Sequence, residues 1–236
     1  SPNYLHDSHI RFALRHQADA ICEKPIVLNP WNIDALQEIE RETGRKIYTV
    51  LQLRLHPKII ELREKIKNSP NNKVYDIDLS YITSRGNWYY FSWKGDIQKS
   101  GGIASNIGIH FFDMLGWIFG KVKNNVVNIS EPTKAAGYLD LENARVRWFL
   151  SLDYNDIPKE TKEKGQRTFR SITIEGEELE FSDGFTELHT ATYRDIINGH
   201  GFGLNDARQS VMTAYDIRNA KPIGLQGNYH PMLKNI

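Results

Sequence analysis

Over the first seventy residues, apolar positions recur at helical spacing, and short, mostly apolar runs break the pattern. Asn3 reads as a cap. Ile10, Ala13 and Leu14 mark the buried side of a helix over residues 4–17. Residues 19–23 (DAICE) predict a short strand that Lys24-Pro25 ends. Asn29-Pro30 opens a second helix, because proline suits the first helical position, and Ile33, Leu36 and Ile39 carry it to Gly44. Residues 46–53 (KIYTVLQL) predict a second strand. Residues 56–69 predict a third helix with Ile59, Ile60, Leu62 and Ile66 on its apolar side. Helices alternating with short buried strands describe a parallel sheet with crossover helices. Two strands are too few to bury such a sheet on both faces, so the start of this domain is expected to lie outside the sequence.

Beyond Asn72 the period becomes two. Tyr75, Ile77, Leu79 and Tyr81 alternate with Asp76, Asp78 and Ser80, and Ala144, Val146, Trp148, Leu150 and Leu152 alternate with polar neighbours. Residues 169–174 and 178–181 read as a hairpin around Gly176. A helix at 107–119 interrupts the strands, and helices at 186–198 and 205–220 follow them. Long alternating strands without helices between them predict a large, mainly antiparallel sheet with one wet face. The change of regime falls at residues 69–73. The expected division is therefore 1–70, the later part of an α/β domain, and 71–236, an α+β domain.

Composition narrows the function classes. The chain of 236 residues has 30 Lys and Arg against 29 Asp and Glu, a net charge of +1, which favours neither a nucleic-acid nor a membrane partner. No run approaches the roughly 20 apolar residues of a membrane span. With 1 cysteine, Cys22, no internal disulfide can form, and a reducing, cytoplasmic setting is the expectation.

Two segments carry candidate chemistry. Cys22-Glu23-Lys24-Pro25 ends the first parallel strand, and ligands of open α/β sheets bind at that edge. Lys24 there can reach a cofactor ribose and a substrate hydroxyl together, although for an isolated Lys-Pro a solvated turn is the favoured reading. Gln52 and Arg54, at the end of the second strand, face the same edge. The second segment begins at Gly101-Gly102, whose glycines offer a flexible approach. In it Asn106, His110 and Asp113 are spaced four and three apart, so they share one side of the helix starting there. An amide and an imidazole so placed can grip sugar hydroxyls and accept a proton. The competing reading is a cap and a core histidine.

Together the two segments resemble the Gfo/Idh/MocA oxidoreductases, on Glu23-Lys24-Pro25 and Asn106-x-Gly108-x-His110-x-x-Asp113, with Ser1-Pro2-Asn3-x-x-His6 as a third match. The resemblance implies a partial Rossmann-type parallel sheet followed by the α+β domain, NAD as cofactor, and Lys24 and His110 beside the nicotinamide and the reacting carbon. It places Pro2, Asn3, His6, Glu23, Lys24 and Gln52 on the cofactor. Many members carry Asp where this chain has Asn106, which removes a candidate acid/base and leaves a hydrogen-bonding role. Arg85-Gly86-Asn87-Trp88-Tyr89, Ser92-Trp93-Lys94-Gly95-Asp96 and Lys99-Ser100-Gly101-Gly102 are similar to the UDP-N-acetylglucosaminuronate 3-dehydrogenases. That subgroup oxidises a sugar C3 hydroxyl with NAD and supplies a 3-keto sugar for O-antigen synthesis.

The implied substrate, a UDP-sugar acid, has a diphosphate and a carboxylate. Arg85, Lys94, Lys99, Ser100, Asn106 and His110 are its expected contacts, with Trp88, Tyr89 and Trp93 available to stack. Either His110 or Lys24 serves as the base, His110 being the first choice. The resemblance also implies a dimer or tetramer packed through the antiparallel sheet. Dehydrogenation of another sugar or polyol, and silent sugar-nucleotide binding, are the alternatives. Gly199-His200-Gly201-Phe202-Gly203 has the wrong spacing for a dinucleotide turn and reads as an interhelical loop. His6-Asp7-Ser8-His9 suggests a metal, but no third ligand is evident, so none is expected. His189 and Tyr193 share a helix face that reads as core or sheet contact.

Overall fold

The computed structural model describes residues 1–70, 73–179 and 187–235. A short 3-10 turn, Asn3–Leu5, leads into helix α1 (His6–Arg15), strand β1 (Ala20–Cys22), helix α2 (Trp31–Thr43) and strand β2 (Ile47–Thr49). The two strands pair in parallel, Ala20 opposite Ile47 and Cys22 opposite Thr49. Gly44, left-handed at φ 68°, ends α2 where a side chain would be strained. The strand expected over 46–53 is shorter than its apolar run. After Thr49 the chain turns and winds into a 3-10 segment, Gln52–Leu55, that buries Leu53 and Arg54. A buried strand and a buried turn draw on the same residue types, so periodicity cannot separate them over so few positions. Helix α3 (Pro57–Lys67) follows, with His56 Nδ1 accepting from the Lys58 amide at its start.

The second unit is a six-stranded sheet. Its strands are β3 (Tyr75–Thr83), β4 (Val122–Ser130), β5 (Lys134–Leu141), β6 (Ala144–Ser151), β7 (Thr168–Ile174) and β8 (Glu177–Glu178), in the order β4-β5-β6-β3-β7-β8. Pairing is antiparallel except between β3 and β6, which run parallel from Tyr75 opposite Ala144 to Ile82 opposite Ser151. The hairpin around Gly176 is present as β7 and β8; the expectation for residues 180 and 181 lies outside the described residues, as does the first position of the helix at 186–198. Short helices α4 (Trp88–Phe91) and α5 (Ile97–Ser100) fill the connection after β3. Helix α6 (Ile109–Phe119) then lies across one sheet face, with Phe111, Phe112 and Met114 against Leu79, Val146 and Trp148. The Phe112 and Trp148 rings meet edge-on at 5.5 Å. On the other face Ile82, Ala136 and Phe149 pack with Ile157 of the β6–β7 connection and with Leu233 near the carboxyl terminus. Helix α7 (Lys159–Glu163) lies in that connection, and α8 (Leu188–Ile197) and α9 (Leu204–Asn219) close the chain.

Helix α9 belongs physically to the first unit. Leu204, Ala207, Val211 and Ala214 are buried with Ile10, Leu14, Ile33, Leu36 and Ile47. Residues far apart in sequence thus build one core beneath the β1–β2 sheet, and Ile109 of α6 joins it.

Candidate active site

Lys24 follows β1 and enters a cis peptide bond with Pro25. Its Nζ donates to the Asn106 carbonyl at 2.5 Å. That carbonyl sits in a wide π turn, Ala104–Gly108, continuous with α6. A π turn breaks the regular i to i+4 ladder, and such turns collect at functional sites because they release backbone groups from the helix. Gly101 and Gly102 before it are both left-handed, at φ 79° and 71°, so the expected flexible approach is a fixed bend. A Cβ on Gly101 would come within 2.6 Å of Ser105.

His110 lies in the first turn of α6 and lines a narrow crevice with Lys24, Thr49, Leu51 and Asp113. Both side chains are half-buried. Burial lowers the Lys24 ammonium to about 8; Glu23 opposes this, while Lys94 and Arg85 add to it. Burial, and then the charges of Lys24, His189 and Arg170, hold the His110 imidazole well below its ordinary value. His110 is therefore neutral at physiological pH and can accept a proton. Lys24 at the same pH is mostly charged but close to titrating.

Asn106 turns its amide to the neighbouring helix, where Nδ2 donates to Tyr89 Oη at 2.5 Å. Tyr89 is buried, so this bond links the aromatic segment 88–93 to the π turn. Asp113 lines the same crevice as His110, on the expected side of the helix, but its carboxylate is engaged by Arg54. It takes Arg54 Nε and Nη2 at 2.9 and 2.8 Å, deep in the protein. Arg54 also reaches the Asp206 carboxylate at 3.3 Å, so it joins the segment after β2 to α6 and α9.

The expected cofactor residues divide. Asn3 is buried and its Nδ2 donates to the Ser100 carbonyl at 2.8 Å, while His6 Nδ1 lies 2.7 Å from the Pro25 carbonyl; both brace the loop around Lys24. Pro2 stands half-exposed at the entry to this turn. Glu23 is exposed and meets His189 Nε2 at 3.1 Å, so His189 is a surface partner of the Glu-Lys-Pro turn and not a core or sheet residue. Gln52 Oε1 and Thr49 Oγ1, at the carboxyl end of β2, are buried without a hydrogen-bond partner among the described residues. Orphaned polar atoms at this edge suit an incoming amide or hydroxyl donor, which is what a nicotinamide ribose presents.

The expected substrate residues also divide. Arg85 is exposed, yet its charge is felt at Lys24. Lys94 Nζ lies 5.4 Å from the Trp88 ring and 5.7 Å from the Trp93 ring. With Tyr89, Ile97, Gly102 and Arg218 it lines a cavity of ≈ 260 Å³. Lys99 pairs with Asp96 at 3.2 Å on the surface. Ser100 is fully buried, and its hydroxyl donates to the Asp96 carbonyl and accepts from Gly102 N, so its side chain shapes the loop and is not presented to a substrate. Arg170 and His189, whose charges act on His110, are neighbours that only the fold brings in.

Two models of one oxidoreductase family match the chain: the NAD-binding Rossmann fold over residues 1–51 and the C-terminal alpha/beta domain over residues 63–212. The chain belongs to the Gfo/Idh/MocA oxidoreductases. Among solved structures it is similar to the WlbA (WbpB) dehydrogenase of Thermus thermophilus. In complex with NAD and alpha-ketoglutarate that enzyme is 50% identical with a TM-score of 0.94, the match covering 98% of this chain and 74% of that one. Its complex with NAD and UDP-GlcNAcA gives 49% and 0.93, with the same coverage. Among curated relatives, the glucose-6-phosphate 3-dehydrogenase of Bacillus subtilis (strain 168) is 22% identical over 167 residues, 70% of this chain and 46% of that one. The D-glucoside 3-dehydrogenase of Escherichia coli (strain K12) is 27% identical over 122 residues, 51% of this chain and 34% of that one. The chain thus spans less than half the length of these curated relatives. Among the described residues no helix is long and apolar enough to cross a membrane.

Proposed function

We propose that the protein is an NAD-dependent dehydrogenase that oxidises the C3 hydroxyl of UDP-N-acetylglucosaminuronic acid, in the cytoplasm, for O-antigen sugar synthesis. The observation that carries this reading is the meeting of Lys24 and His110 in one crevice, at the carboxyl edge of the parallel strands. The similarity to a dehydrogenase solved with NAD and UDP-GlcNAcA supports the choice of substrate. Residues 1–70 would contribute the nicotinamide side of the site and residues 71–236 the sugar side, with assembly into a dimer or tetramer through the large sheet.

Bound NAD would supply the acceptor for the hydride leaving the sugar's C3. His110, neutral at the pH of the cell, accepts the hydroxyl proton, so that an alcohol leaves as a ketone with one proton released. Lys24 is fixed by the Asn106 carbonyl and donates to the same oxygen, which orients it and stabilises the negative charge as the proton departs. Asn106 is held by Tyr89 and steadies a neighbouring hydroxyl. Gln52 and Thr49 face the nicotinamide side, with Pro2, Asn3, His6 and Glu23 shaping the turn around it. Arg85 and Lys94 take the diphosphate, and Lys99 adds to the positive field at the rim.

The test is NADH formation by the protein carrying a complete dinucleotide-binding domain. UDP-N-acetylglucosaminuronic acid is expected to reduce NAD, and His110→Asn and Lys24→Ala are each expected to lower turnover by about 10²–10⁴-fold. Near wild-type turnover in both variants would sink the mechanism. Turnover only of free sugars or polyols would move the substrate class.

A further inference from the structure

The crevice that joins Lys24 to His110 is small, ≈ 10 Å³, against ≈ 260 Å³ for the cavity at Lys94. No sugar ring enters such a space, so a sugar lies over its mouth. The volume suits a single water molecule. Much of the wall is apolar, with Ile26, Leu53 and Val211, but Thr49, His110, Asp113 and Ser210 line it as well as Lys24. A buried water needs about two to four polar partners, and this wall can supply them. Thr49 points most directly to an occupant. It is 0% exposed, and its Oγ1 has no hydrogen-bond partner among the described residues. Cavities stay dry where their lining is apolar throughout, whereas a dry crevice here would leave a buried hydroxyl unpaired.

A second cavity shares part of this wall. It measures ≈ 270 Å³, and its lining includes Arg54, Trp117, Asn205 and Asp206. Asn205 and Asp206 are exposed, so this cavity reaches the surface. Asp113 and Ser210 line both spaces and form the partition between them. Asp113 is held in place by Arg54. The Ser210 hydroxyl donates to the Ala207 carbonyl at 3.0 Å, which leaves its oxygen lone pairs able to accept.

We propose that the crevice beside His110 holds one water on Thr49 Oγ1, and that the proton His110 takes from the sugar leaves through this water and Ser210 into the second cavity. This rests on the dehydrogenase reading above and adds to it an exit that does not pass through the bound sugar. The imidazolium gives its proton to the water. The water gives one of its own hydrogens to the Ser210 oxygen, and Ser210 passes its former hydroxyl hydrogen to solvent beyond. Water and serine each end with the hydrogens they began with, and no electrons move. Thr49 orients the water and Ser210 completes the relay; neither takes part in hydride transfer.

The experiment uses the protein carrying a complete dinucleotide-binding domain. A high-resolution crystal structure is expected to show an ordered water within hydrogen-bond distance of residue 49 in the wild type and in Thr49→Ser, and none in Thr49→Val, which keeps the shape and loses the hydroxyl. Stopped-flow mixing with NAD and UDP-N-acetylglucosaminuronic acid in weak buffer then follows NADH absorbance and a pH indicator together. In the wild type the two traces should rise as one. In Thr49→Val and Ser210→Ala the proton should lag the NADH by about tenfold or more, and Thr49→Ser should restore coincidence. A merely structural role would slow both traces alike. Coincident traces in either variant overturn the route, and a dry wild-type crevice, or a water that persists in Thr49→Val, overturns the water site. A wild type that forms no NADH from the uronate sinks the activity assigned above and the route with it, while the crystal structures still decide the water site.

Discussion

Removing the Asp113 carboxylate tests whether a buried ion pair holds the candidate site together. Arg54 and Asp113 are 7% and 4% exposed, and two hydrogen bonds at 2.8 and 2.9 Å join them. Breaking such a pair costs about 3–5 kcal/mol, because it strands a desolvated charge. Two features push the expected cost of Asp113→Ala to the lower end. Arg54 Nη2 still donates to the Asp206 carbonyl at 2.8 Å, and Nη1 still reaches the half-exposed Asp206 carboxylate at 3.3 Å. The prediction is a loss of about 3 kcal/mol, or roughly 6–12 °C in Tm for a chain of this size. Urea unfolding followed by tryptophan fluorescence reads it directly, provided the slope is unchanged. The double variant Arg54→Met, Asp113→Leu should recover much of the loss, since no lone charge remains. A single-variant loss below about 1 kcal/mol would refute the argument. It would place the pair with surface ion pairs and show that α6, and His110 with it, is held by apolar packing.

Three further outcomes are expected. The pH profile of kcat/KM should fall on the acid side below pH 6.5 as His110 takes a proton, and on the alkaline side near pH 8 as Lys24 loses its charge; a rise through pH 8 would instead make Lys24 the base. His189→Gln should move the acid limb toward higher pH, because His189 helps to hold the His110 imidazole down, while a half-exposed pair with Glu23 changes stability by less than about 1 kcal/mol; an unmoved limb with intact folding would count against that coupling. Gly108→Ala puts a Cβ 2.6 Å from Leu150 and 2.8 Å from Phe112, so calorimetry should show a loss of about 1–3 kcal/mol, and an unchanged Tm would contradict the close approach of the π turn to the sheet.

The sequence announced its helices well, because Ile10 and Leu14, or Ile33, Leu36 and Ile39, recur at a spacing that only a helix can bury on one side. The alternation through β3 and β6 was equally plain. Strands β4 and β5 were not foreseen: Val122–Ser130 carries polar residues on both faces near the sheet edge, and Gly137 interrupts β5 where Trp148 packs close. At the site, Lys24 and His110 stood out because each ends or begins an element at the ligand edge. Arg170 did not, and Tyr89 and His189 read as a stacking ring and a core or sheet residue, since their bonds to Asn106 and Glu23 come from packing between distant segments. Arg54 and Asp113 illustrate the reverse error: charged residues near a site suggest chemistry, yet here each neutralises the other.

The return of α9 to the first core has a mechanical consequence. A chain that crosses into a second unit and comes back cannot let the two units swing freely, because any opening would have to unseat Ala207, Val211 and Ala214 from beneath the parallel strands. Ligand selection in such a molecule falls to rigid walls and to short connecting segments, such as the one bearing Trp88 and Lys94, and not to a hinge. It follows that clipping the chain ahead of Leu204 should destabilise the first seventy residues as severely as the segment removed.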